Sequence, residues 1–177
     1  EILSRYFETL TTKANLNNLV GLPQTLFGMQ ASHEAVVLEL GMNLPDENRQ
    51  LVEIAQPNCI VLTNINHAHI GMFESPRAHY EAEAEPIRYA PADAVLFIYK
   101  DDPLSVQAVE EYAADRKIHW YSTREPADYY AEDVRALRPY GYEFTLRNSK
   151  GESAEVTLKL FGRHNVANAV AAAAIAG

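Results

Sequence analysis

The stretch 58–65, NCIVLTNI, decides how this chain folds. It is a short apolar run that contains β-branched residues and is bounded by polar ones, which is typical of a buried strand. The segment 75–90, SPRAHYEAEAEPIRYA, follows it and predicts a helix, with Ser75 as its N-cap and Pro76 in its first turn. The apolar run 93–100, DAVLFIYK, predicts a second buried strand. A strand, a helix and a strand in this order predict a parallel βαβ unit.

The same alternation extends to both sides of this unit. We predict a further buried strand at 34–41, EAVVLELG, and a short strand at 117–122, KIHWYS. Further helices are predicted at 1–10, from Pro23 onward, at 45–55 with Pro45 and acidic residues in its first turn, and at 102–116. The predicted fold class is therefore α/β, a three-layer α/β/α arrangement with a mostly parallel central sheet covered on both faces.

The pattern changes towards the C-terminus. Residues 142–160 read as two strands around an Asn-Ser-Lys-Gly turn, which predicts a small antiparallel hairpin. A final alanine-rich helix follows at 164–177, and its small side chains allow it to lie close to a sheet. We see no internal repeat or linker, so residues 1–177 are expected to form a single domain.

Composition limits the classes of function. The formal net charge of −9 argues against a nucleic-acid backbone as the main partner, although an acidic protein can still bind a phosphate locally. The single cysteine, Cys59, rules out an internal disulfide and fits a reducing compartment. No apolar run reaches the roughly 18 residues of a membrane span, and no signal peptide is recognisable, so we expect a cytoplasmic protein. Because the chain begins with Glu1 rather than Met, we also expect it to be part of something longer.

Polar residues follow two of the predicted strands, where ligands gather in open α/β sheets. Glu39 ends the strand at 34–41, and Asn64, His67 and His69 follow the strand at 58–65. Carboxylate and imidazole together suit Mg²⁺, Mn²⁺ or Zn²⁺. The plainer alternative is that Glu39 caps a helix or pairs with an arginine, and that the two histidines make ordinary loop hydrogen bonds.

Three glutamates stand at alternate positions in the helix predicted at 75–90: Glu81, Glu83 and Glu85. On a helix, Glu81 and Glu85 share a face while Glu83 points nearly the other way. They form either a solvated acidic surface or a site in which one of them acts chemically. The sequence contains no G-x-x-x-x-G-K-[ST] phosphate loop, no G-x-G-x-x-G fingerprint and no G-x-S-x-G motif.

Four motifs, in order, resemble the central domain of the Mur ligases: NLNNLVGLPQTL at 15–26, VVLELGMN at 36–43, VLTNINHAHIGMFES at 61–75 and GRHNVANAVAAAA at 162–174. Within that family the motifs are most similar to the MurF type, which joins D-alanyl-D-alanine to a UDP-N-acetylmuramoyl-tripeptide of peptidoglycan. The resemblance implies a three-domain enzyme whose central domain binds ATP. It also implies that residues 1–177 lack the phosphate loop and both neighbouring domains, so we expect this chain alone to be inactive and monomeric.

The resemblance further implies ATP and Mg²⁺ as cofactors, an acyl-phosphate intermediate and a set of site residues. Glu39 and His69 would bind magnesium, and Asn64 would be a polar contact nearby. Asn17 and Asn18 would touch the peptide end of the substrate. Adenine would be contacted from the final helix by Asn165 and Asn168.

One position departs from the family pattern. Members of the family carry a carbamylated lysine that helps to hold the second magnesium, and here Glu83 stands in its place. Glu83 could supply the same anionic oxygens without carbon dioxide. The departure also leaves two alternatives open, namely a sister amide ligase with other substrates and a non-catalytic binding domain of the same fold.

Overall fold

A computed structural model describes residues 1–65 and 73–177. The chain divides into two compact units. The first comprises Glu1–Asn58 and Ile65–Ala94, and the second comprises Cys59–Asn64 and Val95–Gly177.

The described residues of the first unit form two short strands and three α-helices. Its elements are a 3₁₀ turn at Leu3–Arg5, β1 (Thr9–Thr11), α1 (Gly21–Phe27), β2 (Ala35–Val37), α2 (Glu47–Ala55) and α3 (Pro76–Arg88). β1 and β2 pair in parallel, with Thr9 opposite Ala35 and Thr11 opposite Val37.

The helix predicted over residues 1–10 is wrong. Only Leu3–Arg5 turn, as a 3₁₀ helix, and the chain then extends into β1. The apolar side chains that suggested the helix stay in contact with solvent, with Tyr6 78% and Phe7 45% exposed. A short helix needs an apolar face packed against the protein to be stable, and the apolar side chains here are exposed or only half-buried.

Two further expectations need correction in this unit. The strand predicted at 34–41 is reduced to β2, three residues that are half-buried or exposed rather than buried. α2 begins at Glu47, so Pro45 lies outside the helix. Asp46, just before it, has a left-handed φ of 66°, and Glu47 is the only acidic residue in the first turn.

α3 forms where it was predicted and for the predicted reason. The Ser75 side chain accepts a hydrogen bond from the backbone N–H of Ala78, and Pro76 occupies the first turn. α2 and α3 are in contact, and the buried Asn48 amide donates to the carbonyl oxygen of Ala82 at 3.1 Å.

The second unit contains a six-stranded sheet and two helices. Its elements are β3 (Cys59–Leu62), β4 (Val95–Tyr99), α4 (Pro103–Tyr112), β5 (Ile118–Ser122), β6 (Tyr129–Ala136), β7 (Tyr142–Asn148), β8 (Ser153–Leu158) and α5 (His164–Ala176). The strands lie side by side in chain order. β3 to β6 are parallel, and β7 is antiparallel to both β6 and β8. The α/β class, the mostly parallel sheet and the antiparallel hairpin are thereby confirmed.

β6 is a strand that the sequence pattern did not predict. Its residues, YYAEDVRA, form no apolar run, and only Ala131 among them is buried. The pairing with β7 also shifts register between Glu132 and Arg135, where Asp133 takes a left-handed φ of 54°. Such a bulge breaks the alternation by which a strand is recognised in a sequence.

The core of this unit lies between the sheet and α5. Tyr121 and Phe144 from the sheet pack with Val166 and Val170 from the helix, all at most 2% exposed. The Tyr121 hydroxyl donates to the carbonyl oxygen of Leu62 at 2.9 Å, which satisfies its only polar atom. Within residues 1–65 and 73–177, no helix has the length and apolar character needed to cross a membrane.

Candidate functional site

Glu39 lies in the loop that follows β2 and is held there by two hydrogen bonds. Asn17 Nδ2 donates to Glu39 Oε1 at 2.9 Å, and the backbone N–H of Glu39 donates to Thr12 Oγ1 at 3.0 Å. Glu39 is exposed, so it does not end a buried strand. Its position is nevertheless fixed by the neighbouring 12–18 loop. The result is an anionic group that is solvent-accessible and oriented.

Asn18 is committed in part to the backbone. Its Oδ1 accepts hydrogen bonds from the N–H groups of Val20 at 3.1 Å and Gly21 at 2.9 Å, at the start of α1. An asparagine oxygen in this role satisfies N–H groups that a helix leaves without internal partners. The neighbouring Asn17 is half-buried and engaged with Glu39. The structure therefore brings Asn17 and Glu39 together, and it gives Asn18 a capping role that the sequence pattern did not indicate.

The residues predicted after β3 are described only in part. Asn64 is exposed in the loop directly after the strand. His67 and His69 lie outside the described residues, so the predicted magnesium role of His69 stays a prediction.

The three glutamates of α3 have three different environments. The Glu81 side chain is 45% exposed and pairs with Arg77 at 2.8 Å, so it belongs to the helix surface. Glu85 is buried, and its two oxygens accept the backbone N–H groups of Asp46 and Arg49, each at 2.9 Å, at the start of α2. Burial raises the pKa of Glu85, and the two hydrogen bonds oppose that rise.

Glu83 is the glutamate with an unusual electrostatic state. Its side chain is 22% exposed, and its Oε1 lies 3.6 Å from Nε2 of His79, one turn earlier in α3. Burial raises the pKa of Glu83 to about 7. A carboxylate is disfavoured there until positive charge or hydrogen-bond donors reach it. His79 is a candidate residue that sequence reasoning overlooked, although its i, i+4 spacing to Glu83 was readable.

Asn165 and Asn168 lie together in the first turns of α5. Asn165 Nδ2 donates to the carbonyl oxygen of Phe161 at 2.7 Å, and Asn168 Nδ2 donates to Asn165 Oδ1 at 3.3 Å. The i, i+3 spacing places both amides on one side of the helix. The arrangement orients two amides next to an exposed aromatic residue, since Phe161 is 72% exposed.

A polar network at the ends of β4 and β5 was not predicted. The Asp101 carboxylate accepts hydrogen bonds from the Ser122 hydroxyl and from the backbone N–H and the hydroxyl of Thr123. Ser122 is fully buried. The signal was available, because Lys-Asp-Asp follows β4, and β5 ends in Ser122 with Thr123 directly after it. These bonds fix the loops at the carboxyl edge of the sheet.

Magnesium places its own requirements on the donor set. Mg²⁺ usually keeps several waters and binds one or two carboxylates together with the phosphates of its substrate. The oriented, exposed carboxylate of Glu39 fits that requirement as a single ligand. In the described part of the chain, no three side chains of His, Cys, Asp or Glu converge as a complete metal site. A metal bound here would therefore need oxygens from water or substrate.

Comparison with known proteins gives a consistent set of relatives. The sequence profile of the Mur ligase middle domain matches residues 1–176. The UDP-N-acetylmuramoyl-tripeptide–D-alanyl-D-alanine ligase of Escherichia coli strain K12 is 34% identical over 177 residues, which cover 98% of this chain and 38% of that protein.

Solved structures agree with the sequence comparison. MurF from Acinetobacter baumannii superposes with a TM-score of 0.89 at 34% identity, covering 99% of this chain and 38% of that one. MurF from Thermotoga maritima, solved in complex with ADP, has a TM-score of 0.83 at 22% identity, covering 98% of this chain and 40% of that one. The chain thus spans well under half the length of the relatives that it resembles.

Proposed function

The chain belongs to the Mur ligase family as a middle domain, and from this premise we propose that it is the ATP-binding part of a longer amide-forming ligase. The proposal gives the chain two flanking domains and a phosphate loop, which residues 1–177 do not contain. It is supported by relatives that are named as ligases and are much longer than this chain, which covers only 38% of the E. coli protein. The single observation that carries it is the Asn17–Glu39 pair, an oriented carboxylate at a family motif.

The proposed reaction joins D-alanyl-D-alanine to a UDP-N-acetylmuramoyl-tripeptide, as the names of the relatives state for them. ATP would transfer its terminal phosphoryl group to the substrate carboxylate with release of ADP. The amine of the incoming dipeptide would then attack the acyl phosphate, forming the amide bond and releasing inorganic phosphate. Both steps gather negative charge, so cationic groups must stabilise their transition states.

Glu39 would hold the magnesium ion, which when bound offsets the charge of the phosphates. Asn17 would act through Glu39, because its Nδ2 donates to Oε1 and fixes the direction of the carboxylate. Asn17 uses its Nδ2 to bind Glu39, and Asn18 uses its Oδ1 to bind the backbone of α1. Asn17 and Asn18 would therefore contact the substrate through their other amide atoms, Oδ1 of Asn17 and Nδ2 of Asn18. Asn64 would add a polar contact from its exposed loop. Glu83 would hold the second magnesium, where the family has its carbamylated lysine.

The nucleotide would be read from α5. Asn165 and Asn168 form an oriented amide pair, and a nucleobase edge needs such donors and acceptors. The MurF structure from T. maritima was solved in complex with ADP, which supports ATP as the nucleotide of this chain. We also propose that the protein acts in the cytoplasm as a monomer.

The test is ATP-dependent ligation by the full-length protein that contains this chain. We expect product and ADP to form together from the tripeptide precursor and D-alanyl-D-alanine, and Glu39→Gln to lower kcat at least about tenfold. Glu81→Gln is the matched control, because the Glu81 side chain lies at the helix surface and pairs only with Arg77 among the contacts described. Absence of a G-x-x-G-K-[ST] motif upstream of Glu1, or equal turnover by the Glu39 variant, would refute the proposal.

Glu83 favours one second candidate function. Since this position departs from the family's lysine, the protein could be a sister ligase that joins another amino acid or peptide. Profiling the full-length protein against several acyl acceptors would separate the two, and exclusive use of D-alanyl-D-alanine would rule the sister function out. A binding domain without catalysis is the remaining alternative, and magnesium-dependent ATP turnover would exclude it. We expect residues 1–177 alone to form no product.

A further inference from the structure

Gly41, two residues after Glu39, lies directly against the side chain of Asn17. A Cβ atom at position 41 would lie 2.7 Å from Nδ2 and 2.9 Å from Cγ of Asn17, and its three nearest neighbours would all be atoms of that amide group. Cβ atoms in proteins do not approach other heavy atoms so closely. The Asn17 amide therefore occupies the space that a side chain at position 41 would fill.

Backbone conformation does not explain the glycine at position 41. The glycines with a left-handed φ in the described residues are Gly141, Gly151 and Gly162, and Gly41 is not among them. Residues with a side chain can adopt the backbone of Gly41 without left-handed strain. The close approach of Asn17 is therefore the feature that requires a glycine here.

The backbone on both sides of this contact is held in place. The N–H of Gly41 donates to the carbonyl oxygen of Asn17 at 2.9 Å. The next residue, Asn18, is tied to the start of α1, because its carbonyl oxygen accepts the N–H of Leu22 at 2.9 Å and its Oδ1 accepts the N–H of Gly21. A side chain at position 41 would therefore push aside the Asn17 amide, which turns about rotatable bonds, rather than the backbone.

The displaced group is the one that orients Glu39. The amide must move by about 1 Å to restore an ordinary contact distance of about 3.5–4 Å. Asn17 Nδ2 donates to Glu39 Oε1 at 2.9 Å, and a shift of that size takes it out of good hydrogen-bond geometry. The backbone N–H of Glu39 keeps its bond to Thr12 Oγ1, which does not involve Asn17. The main chain at Glu39 would thus stay in place while its carboxylate lost its direction.

We propose that Gly41 is a positioning residue, whose lack of a side chain lets the Asn17 amide reach Glu39 and so sets the direction of the Glu39 carboxylate. The inference rests on the proposed function for the role of Glu39 in holding magnesium, and it adds Gly41 to the residues on which that role depends. Gly21 also packs against the 12–18 loop, but a Cβ atom there would meet backbone atoms of Leu16, so its replacement disturbs the fold itself.

The experiment uses the full-length protein that contains this chain, labelled with ¹⁵N only at asparagine. The side-chain amide resonance of Asn17 is assigned by its absence in Asn17→Ala. We expect Gly41→Ala to shift this resonance in the absence of nucleotide, metal and substrate, whereas Gly28→Ala should leave it in place. Gly28 is the matched control, since a Cβ atom there would meet Thr25 and Leu10 rather than the 12–18 loop.

Turnover gives a second readout through a double-mutant cycle. Gly41→Ala should raise the Mg²⁺ concentration that gives half-maximal turnover at least about tenfold. The double variant Asn17→Ala/Gly41→Ala should resemble Asn17→Ala alone, because Gly41 acts through the Asn17 amide. The thermal midpoint of Gly41→Ala should stay within about 4 °C of the parent, since a side chain relieves the contact.

An unshifted Asn17 resonance in Gly41→Ala would overturn the proposal, as would an unchanged Mg²⁺ dependence or an equal effect of Gly41→Ala with and without the Asn17 amide. A Gly41→Ala protein that does not fold would also overturn it, since the backbone rather than Asn17 would then give way. The amide spectrum is recorded without substrate, so it tests the contact whether or not the parent ligates. Missing ligation by the parent would count against the proposed function alone.

Discussion

Oε2 of Glu85 in α3 accepts a hydrogen bond of 2.9 Å from the backbone N–H of Arg49, and so ties α3 to the first turn of α2. Its other oxygen accepts the N–H of Asp46 at the same distance. Asp46 itself caps no N–H group with its side chain, since its backbone is left-handed there. Glu85, although remote in sequence, thus accepts N–H groups at the start of α2 as an N-cap side chain would.

Replacing Glu85 should therefore cost stability in the first unit. Glu85→Ala leaves two N–H groups at the start of α2 without their acceptor, and we expect the free energy of unfolding to fall by about 1–3 kcal/mol. Urea denaturation followed by circular dichroism measures it. Glu81→Ala, which removes only the exposed pair with Arg77, should stay within about 0.5 kcal/mol of the parent. Equal losses in both variants would contradict a capping role for Glu85.

Gly21, at the start of α1, should not tolerate a side chain. A Cβ atom there would lie 2.4 Å from Cα of Leu16, and backbone cannot move aside as a flexible side chain can. We expect Gly21→Ala to lower the free energy of unfolding by about 2–3 kcal/mol.

Gly151 in the β7–β8 turn provides the comparison for Gly21. A Cβ atom at this position would meet no other atom within 4 Å, although the φ of Gly151 is +85°. Gly151→Ala should cost only about 1–2 kcal/mol, from backbone strain alone. Thermal melts of the two variants compare the cost of the steric contact at Gly21 with the cost of backbone strain at Gly151. A larger loss of stability in Gly151→Ala than in Gly21→Ala would contradict the contact argument.

Cys59 should react slowly with thiol reagents while the chain is folded. Burial raises the pKa of the thiol, and only the thiolate is nucleophilic. The folded state prefers the neutral thiol, and this preference contributes to the stability of the folded chain. The contribution is full below the ordinary pKa of cysteine. It is lost as the pH rises through the higher folded-state pKa.

The measurement is the rate of labelling by a chromogenic disulfide between about pH 7 and 10, a range that brackets the ordinary pKa of cysteine. Cys59 is the only thiol, so the signal is unambiguous. The folded chain should reach its half-maximal rate at a higher pH than the same chain in urea. Identical pH profiles would mean that burial leaves the thiol unperturbed.

The sequence predicted those parts of the fold in which one local signal dominates. β3 and β4 are short apolar runs, and α3 has both a serine cap and a proline in its first turn. It misjudged residues 1–10, because helical periodicity says nothing about whether a surface exists to bury the apolar face. It missed β6, whose bulge at Asp133 disrupts the alternation of side chains.

The sequence indicated which residues to consider for the candidate site, but it did not indicate which of them contact each other. Glu39 was identified from its place after a strand, but its partner Asn17 lies 22 positions earlier, and no local pattern links them. For the α3 glutamates, helical geometry separates Glu83 from Glu81 and Glu85. That Glu85 caps another helix depends on how α2 and α3 pack, which sequence spacing does not encode.

Turnover in the full-length protein should depend on the identity of residue 83. The Glu83 carboxylate offers a pair of anionic oxygens on a shorter arm than a carbamylated lysine, with His79 beside it. We expect Glu83→Gln to lower metal-dependent turnover at least about tenfold, because an amide is neutral and a much weaker metal ligand. Glu81→Gln should leave turnover unchanged.

A Glu83→Lys variant restores the residue that the family carries, and its activity should rise with added bicarbonate whereas that of the parent should not. The measurement is the steady-state rate of the parent and of the three variants at matched metal concentrations. Unchanged turnover in Glu83→Gln would place Glu83 outside the catalytic machinery, and bicarbonate dependence of the parent would mean that a lysine elsewhere is carbamylated.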